Sequence, residues 1–453
     1  MVVRPWMQMA VLKYDLYINK CFYQQDPTPW QEWDLLLRME KEHESLKQLF
    51  QQEFAKMVAV ISKQYGLEHI EMAEDIVSET FLVASETWGI RGIPPNPAAW
   101  LYTVAKQKTL YHFRRNKIYE RKVIPEITAQ QPKEQEPEAD NFSQQNIKDS
   151  QLQMLFAICN PAIASEAQIG LALRILCGFG IDEIAEAFLT NKETINKRLF
   201  RAKEKLRNEN VQLVPIDSTL PDQELVNRLD NVLHIIYLLF SEGYYSKTEN
   251  AILRKDFCLE AMRLGVMLTD YERTNRPKTN ALLALMSFHA SRFNARESNN
   301  DTLVLYEQQD TSLWDTALIN QGILFLNNSA NGHEISSYHL EAGIAYWHCI
   351  KEDTPEKWES ILNLYNQLLL INYSPGVALN RIFALYKAKG KEAAILEVEQ
   401  LQPANNHFYF LLLGELYQGL DDQKALSCYK KAYTLAKTQT EKQGIQQKID
   451  SLI

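Results

Sequence analysis

Glycine and proline are both scarce, 16 of each in 453 residues, and no stretch keeps up the apolar–polar alternation of a half-buried strand. That pattern predicts an all-α protein. No apolar run reaches the roughly 18–20 residues that a membrane-spanning helix needs. The N-terminus has no short apolar core followed by a small-residue cleavage site, which argues against secretion. The six cysteines (Cys21, Cys159, Cys177, Cys258, Cys349, Cys428) form no C-x-x-C pair, and the nine histidines are dispersed. No metal site is therefore expected, and buried free thiols fit a reducing cytosol. Neither H-E-x-x-H nor a nucleophile elbow occurs. Glu242, Asp310, Asp315, His339 and His348 lack any spacing that hydrolysis demands, so neither an enzyme nor a cofactor is expected. Glu242, Asp310, Asp315 and Asn380-Arg381 are instead expected to fix loops and helix ends.

Charge is unevenly spread. The net charge of −9 argues against nucleic acid as a partner only on average. Residues 106–122 hold seven Lys or Arg against one acid, and 192–207 form a second basic cluster. Local patches, not the whole-chain balance, govern attraction to phosphate. The stretch from Gly178 to Arg207 reads as two short helices around a tight turn. Ile181, Ile184, Ala185 and Phe188 form one apolar face; Ile195, Leu199, Ala202 and Leu206 form the next. Between them, Thr190 to Glu193 has the S/T-x-x-E form of a capping box. The outer face of the second helix carries Lys192, Lys197, Arg198, Arg201, Lys203, Lys205 and Arg207. A helix apolar on one side and basic on the other suits a major groove. A solvated basic face on an ordinary helical hairpin is the alternative.

The string Glu183-Ile184-Ala185, followed by Thr194-Ile195-Asn196-Lys197-Arg198-Leu199-Phe200-Arg201-Ala202, resembles the −35 helix-turn-helix of extracytoplasmic-function sigma factors. These are small sigma-70-type initiation factors of bacterial RNA polymerase. The resemblance implies duplex contacts from Lys192, Thr194, Asn196, Lys197, Arg198 and Arg201. Upstream, the segment from Glu71 to Trp88 turns Ala73, Ile76, Val77, Thr80, Phe81 and Ala84 inward. Its other face is acidic, with Glu71, Glu74, Asp75, Glu79 and Glu86 and no basic residue. Ala73 to Phe81 resembles the sigma region 2 helix that docks on the polymerase β′ clamp. Asp75, Ser78 and Glu79 would face that partner, with Ser78 where the family usually has Gln. Residues 99–115 interleave aromatic and basic side chains, as single-stranded DNA binding requires. By resemblance this segment reads the −10 element, with the loop from Arg91 to Pro97 capturing a flipped base. Arg91, Asn96, Lys106, Lys108, His112, Arg114 and Arg115 are the candidates there. Tyr111 replaces a usual acid, and Trp100 and Phe113 are expected to fill the core.

In order, residues 1–38 form an aromatic-rich arm without a period, and Met39 opens a polar helix start. One reading places translation initiation at Met39; the other is a genuine arm packed on the next domain. Residues 39–122 are expected as sigma region 2, 123–150 as a flexible acidic linker, and 151–210 as sigma region 4. From Val211 to the end, helices of about 12–18 residues between short breaks suggest a helical solenoid. Leu413-Gly414-x-x-Tyr417 with Ala425-x-x-x-Tyr429-x-x-Ala432 resembles a degenerate tetratricopeptide unit. Leu239 to Tyr245, Glu307 to Asp315, Tyr338 to Ala342 and Ser374 to Arg381 resemble a sigma-factor subgroup with a long C-terminal extension.

The resemblance implies a cytoplasmic bacterial promoter-recognition subunit. Its partners would be core RNA polymerase and promoter DNA, with the extension regulating in place of a membrane anti-sigma factor. The other function class is a helical-repeat scaffold or adaptor anchored to DNA.

Overall fold

A computed structural model describes residues 29–123, 143–216 apart from 189, 220–244, 254–296, 304–332 apart from 305, 334–401, 406–436 and 439–452. Side chains before Leu46 and in 115–123 are not among those described. Most of the arm, the middle of the expected linker, and Cys21 lie outside these residues. Among the described residues every regular element is helical, and no helix is long and apolar enough to cross a membrane. The chain divides into two compact units, Met1–Leu238 and Leu239–Ile453.

In the first unit, α1 (Pro29–Tyr65) is a long helix that continues without a break through Met39, where the sequence suggested a new start. It packs against α2 (Ile70–Arg91) and α3 (Pro97–Val123). Phe54, Met57, Val58 and Ile61 of α1 are buried against Ala73, Ile76, Val77, Thr80, Phe81 and Ala84 of α2. This is the inward set that 3.6-residue periodicity selects. Gly92 ends α2 at φ 78, returning its amide to Trp88 O at 2.8 Å, a conformation open to glycine and strained for other residues. Pro97 opens α3, and Asn96 caps it by accepting from the Ala99 amide at 3.0 Å.

The next helix, α4 (Gln144–Ile158), already begins within the stretch expected as linker, capped by Ser143. It packs on α1, as does the buried π-helical turn Ala172–Leu176 that follows α5 (Ser165–Leu171). Then come α6 (Ile181–Ala187) and α7 (Lys192–Asn208). The cap of α7 is Asn191, whose Oδ1 accepts from Thr194 N at 2.7 Å. The expected Thr190–Glu193 box is therefore shifted by one residue. Asn outranks Thr at such a position, and Asn191 has the extended backbone a cap needs. Asn210, at φ 49, closes the C-terminal end as Val211 N returns to Leu206 O.

The unit boundary falls inside α8 (Asp222–Tyr244). Asn231 of α8 donates to Cys159 O and, at 3.2 Å, to Gln168 Oε1. The first part of the expected extension thus folds with the first unit.

In the second unit, α9 (Lys255–Thr269), α10 (Pro277–Ala290), α11 (Phe293–Arg296), α12 (Thr316–Ser329) and α13 (Ser337–Trp347) come first. The most buried is α10, which packs against α9, α12 and α13. Helices α14 (Pro355–Ile371), α15 (Pro375–Lys389), α16 (Lys391–Val398), α17 (His407–Tyr417), α18 (Asp422–Leu435) and α19 (Gln439–Asp450) follow as neighbours in sequence and space. In the α17–α18 pair, a Cβ on Gly414 would sit 2.6 Å from the fully buried Tyr429 ring. Only glycine lets these helices approach so closely around that ring.

Candidate nucleic-acid interface

Asp75 and Glu79 are exposed on one face of α2, and Ser78 between them is half-buried. The helix brings the three together, since positions three and four apart share a face. Burial raises the Asp75 carboxyl above its usual range, and the neighbouring Glu74 and Glu79 carboxylates raise it further. Glu79 pairs with Lys108 of α3 at 3.0 Å. Expected polymerase and −10 residues thus touch.

Along α3, Arg114 is exposed, Lys106 half-buried, and His112 meets the Phe113 ring edge-on at 5.6 Å. The Arg115 side chain lies outside the described residues. Arg91 and Asn96 are exposed at the turn before α3, and the Asn96 carbonyl is engaged as the cap. Phe113 stacks on Tyr65 at 3.8 Å, and Trp100 lies 5.4 Å from Trp88, edge-on. Both aromatics therefore pack within the protein.

On α7, Ile195, Leu199, Ala202 and Leu206 are buried, and Lys197 and Arg201 are exposed. Thr194, Asn196 and Arg198 are half-buried, and the Arg198 guanidinium lies 5.7 Å from the centre of the Phe188 ring. Lys192 pairs with Asp182 at 2.9 Å, tying α7 back to α6.

Sequence reasoning missed the contact between α7 and α2. Lys203 pairs with Glu74, Arg174 of the π-helical turn pairs with the same carboxylate at 3.0 Å, and Arg207 pairs with Glu71 at 3.3 Å. Glu74, placed by the sequence on the outward acidic face, is in fact buried, as is Arg174. Burial alone pushes the Glu74 carboxyl up, but Lys203 and Arg174 together hold it below the usual carboxylate range. One signal was available: Arg174 is the lone charge in the apolar run from Ile169 to Phe179. A buried cation needs a carboxylate.

Three of the residues weighed for hydrolysis serve local structure instead. Asp310 accepts from Ser312 N, Asp315 caps α12 through Leu318 N, and His339 accepts from Ser336 N at the start of α13. Arg381 pairs with Glu397 and donates to Asn366. The five described cysteines are free thiols.

A model of sigma-70 region 2 matches residues 50–118, which span the end of α1, all of α2 and most of α3. A model of a family of unknown function, DUF6596, matches residues 228–330. An uncharacterized protein of Rhizobium meliloti (strain 1021) is 32% identical over 390 residues, covering 85% of this chain and 90% of its own. The chain belongs to the same family as that protein and carries a sigma-70 region 2 domain. The region 2 domain supports a sigma-factor-like role in transcription initiation. That role is non-catalytic, and the region 2 domain implies core RNA polymerase and promoter DNA as partners. No solved structure matches the chain significantly.

Proposed function

We propose that this protein is a sigma factor of the extracytoplasmic-function type that directs core polymerase to specific promoters, under the control of its own C-terminal extension. The observation that carries the reading is the face of α2 with exposed Asp75 and Glu79 and half-buried Ser78, inside the stretch matched by sigma-70 region 2. In this reading that face docks on the basic surface of the polymerase clamp. The turn from Arg91 to Asn96, with Lys106, Lys108, His112, Arg114 and Arg115 of α3, follows the non-template strand at the −10 element. The pair α6–α7 serves as the −35 helix-turn-helix, with Lys197 and Arg201 already exposed for the duplex.

The pairs Lys203–Glu74 and Arg207–Glu71 give the reading a further consequence. The two promoter elements lie well apart on DNA, so α7 must leave α2 before both can be bound at once. The described conformation is then a closed one, and the helical extension is the element that sets how readily it opens. Run-off transcription with core polymerase on the protein's own upstream DNA tests the proposal. A discrete transcript that depends on the protein is expected. Failure both to transcribe and to bind core polymerase would favour the adaptor reading instead.

A further inference from the structure

In the second unit, the Tyr306 ring is surrounded by cations that the promoter-reading function does not use. The Arg292 guanidinium carbon lies 5.6 Å from the ring centre, Lys351 Nζ 4.6 Å and Lys357 Nζ 5.7 Å. The His348 ring meets Tyr306 edge-on at 5.2 Å, and the Trp314 ring lies along it at 6.3 Å. These residues come from five places in the chain: the end of α10, the turns at 306–308 and 311–314, the end of α13 and the first turn of α14. Such convergence is what a binding site requires.

The charges are unbalanced. Asp353 serves Lys387 at 2.6 Å and the Trp358 indole at 2.8 Å, and lies 3.9 Å from Lys357. It and Glu352 are both exposed. Arg292 is more than nine-tenths buried, and no described carboxylate pairs with it. Its contact within hydrogen-bonding distance is His289 Nδ1, at 3.3 Å, and its Nε has no partner. Trp314 Nε1 and Gln309 Oε1, on side chains also more than nine-tenths buried, have no partner either, nor has His348 Nδ1. Burying a guanidinium without a counter-charge, beside unpaired indole and imidazole nitrogens, is unfavourable. Stacking on tyrosine recovers only part of that. Burial, reinforced by Arg292 and Lys357, lowers His348 to about 4. Its ring is then neutral at physiological pH and free to donate from one nitrogen.

We propose that the cluster around Tyr306 is a binding site for a small oxyanion, a phosphate or a carboxylate, whose charge meets Arg292 and Lys357 and whose oxygens accept from Arg292 Nε and Trp314 Nε1. Phosphate and carboxylate share the acceptor geometry that a guanidinium fork recognises. The site gives the second unit a ligand of its own, and the inference stands independently of the promoter-binding reading.

Calorimetric titration of the full chain with sodium phosphate, and separately with sodium citrate, tests it at matched ionic strength. At least one anion should bind with one-to-one stoichiometry, and which one does identifies the source. Arg292→Met keeps the apolar stem and should weaken that binding roughly tenfold or more. Without the anion, Arg292→Met should melt no lower than the parent protein, because an unmatched buried charge has been removed. Trp314→Phe keeps the ring and should also weaken binding, which covers the case of an Arg292 variant that does not fold. Absence of binding by both anions overturns the proposal. So does equal binding by parent and both variants, or an Arg292→Met protein that melts lower with unchanged affinity.

Discussion

Glu74 is one carboxylate held by two cations from distant parts of the chain, one 100 and the other 129 residues away. Glu74→Gln leaves Arg174 and Lys203 without their charge partner. The expected cost to the first unit is roughly 3 kcal/mol, within the range for breaking a buried pair, checked by urea unfolding with hydrogen exchange followed in α2 and α7. Because the folded carboxyl titrates below its ordinary value of 4.5, its contribution is complete above that value. It is lost as the pH falls from there through the lower folded value. The Glu74→Gln protein should therefore show a shallower acid destabilisation than the parent. Equal slopes would remove Glu74 from the acid response. At Gly414 the argument is steric: Gly414→Ala places a methyl against Tyr429 and should cost about 1–3 kcal/mol. Thermal unfolding of the variant measures it.

At the scale of elements, the inward faces of α2 and α7 were legible from spacing alone. Each is set by helical period and needs no partner to be named. The capping residue was misplaced by one, because Thr190 and Asn191 both suit a cap and only the backbone chooses. The start of α1 ahead of Met39 was hidden by an aromatic-rich stretch without a clear period. The burial of Glu74 was not legible, because a helix face can be called solvated only when its neighbours are known. The exposed and paired residues of α7 should also behave differently. Lys197→Ala and Arg201→Ala should weaken −35 duplex binding by roughly 1–3 kcal/mol for a base contact, or lower its salt dependence for a phosphate contact. Lys203→Ala should instead raise hydrogen exchange in α7 while changing duplex affinity less. The reverse ranking, by fluorescence anisotropy on −35 DNA, would move the contact surface of α7.

For the whole molecule, the sequence reading of an all-helical chain with an N-terminal sigma-70 region 2 agrees with the described fold and with the match over residues 50–118. The compact units divide at Leu238–Leu239, later than Val211, where the sequence reading began the extension. Part of α8 supplies core residues to the first unit, Leu225, Leu229 and Val232 among them. A truncation meant to remove the extension should therefore keep α8 rather than stop at residue 210. The central claim is that the acidic face of α2 binds polymerase, and the most direct measurement is co-elution with core RNA polymerase in gel filtration. The full chain should co-elute, and Asp75→Arg, with unchanged helical circular dichroism, should not. Co-elution of the Asp75→Arg protein to the same extent, or failure of the parent chain to co-elute, would contradict the account.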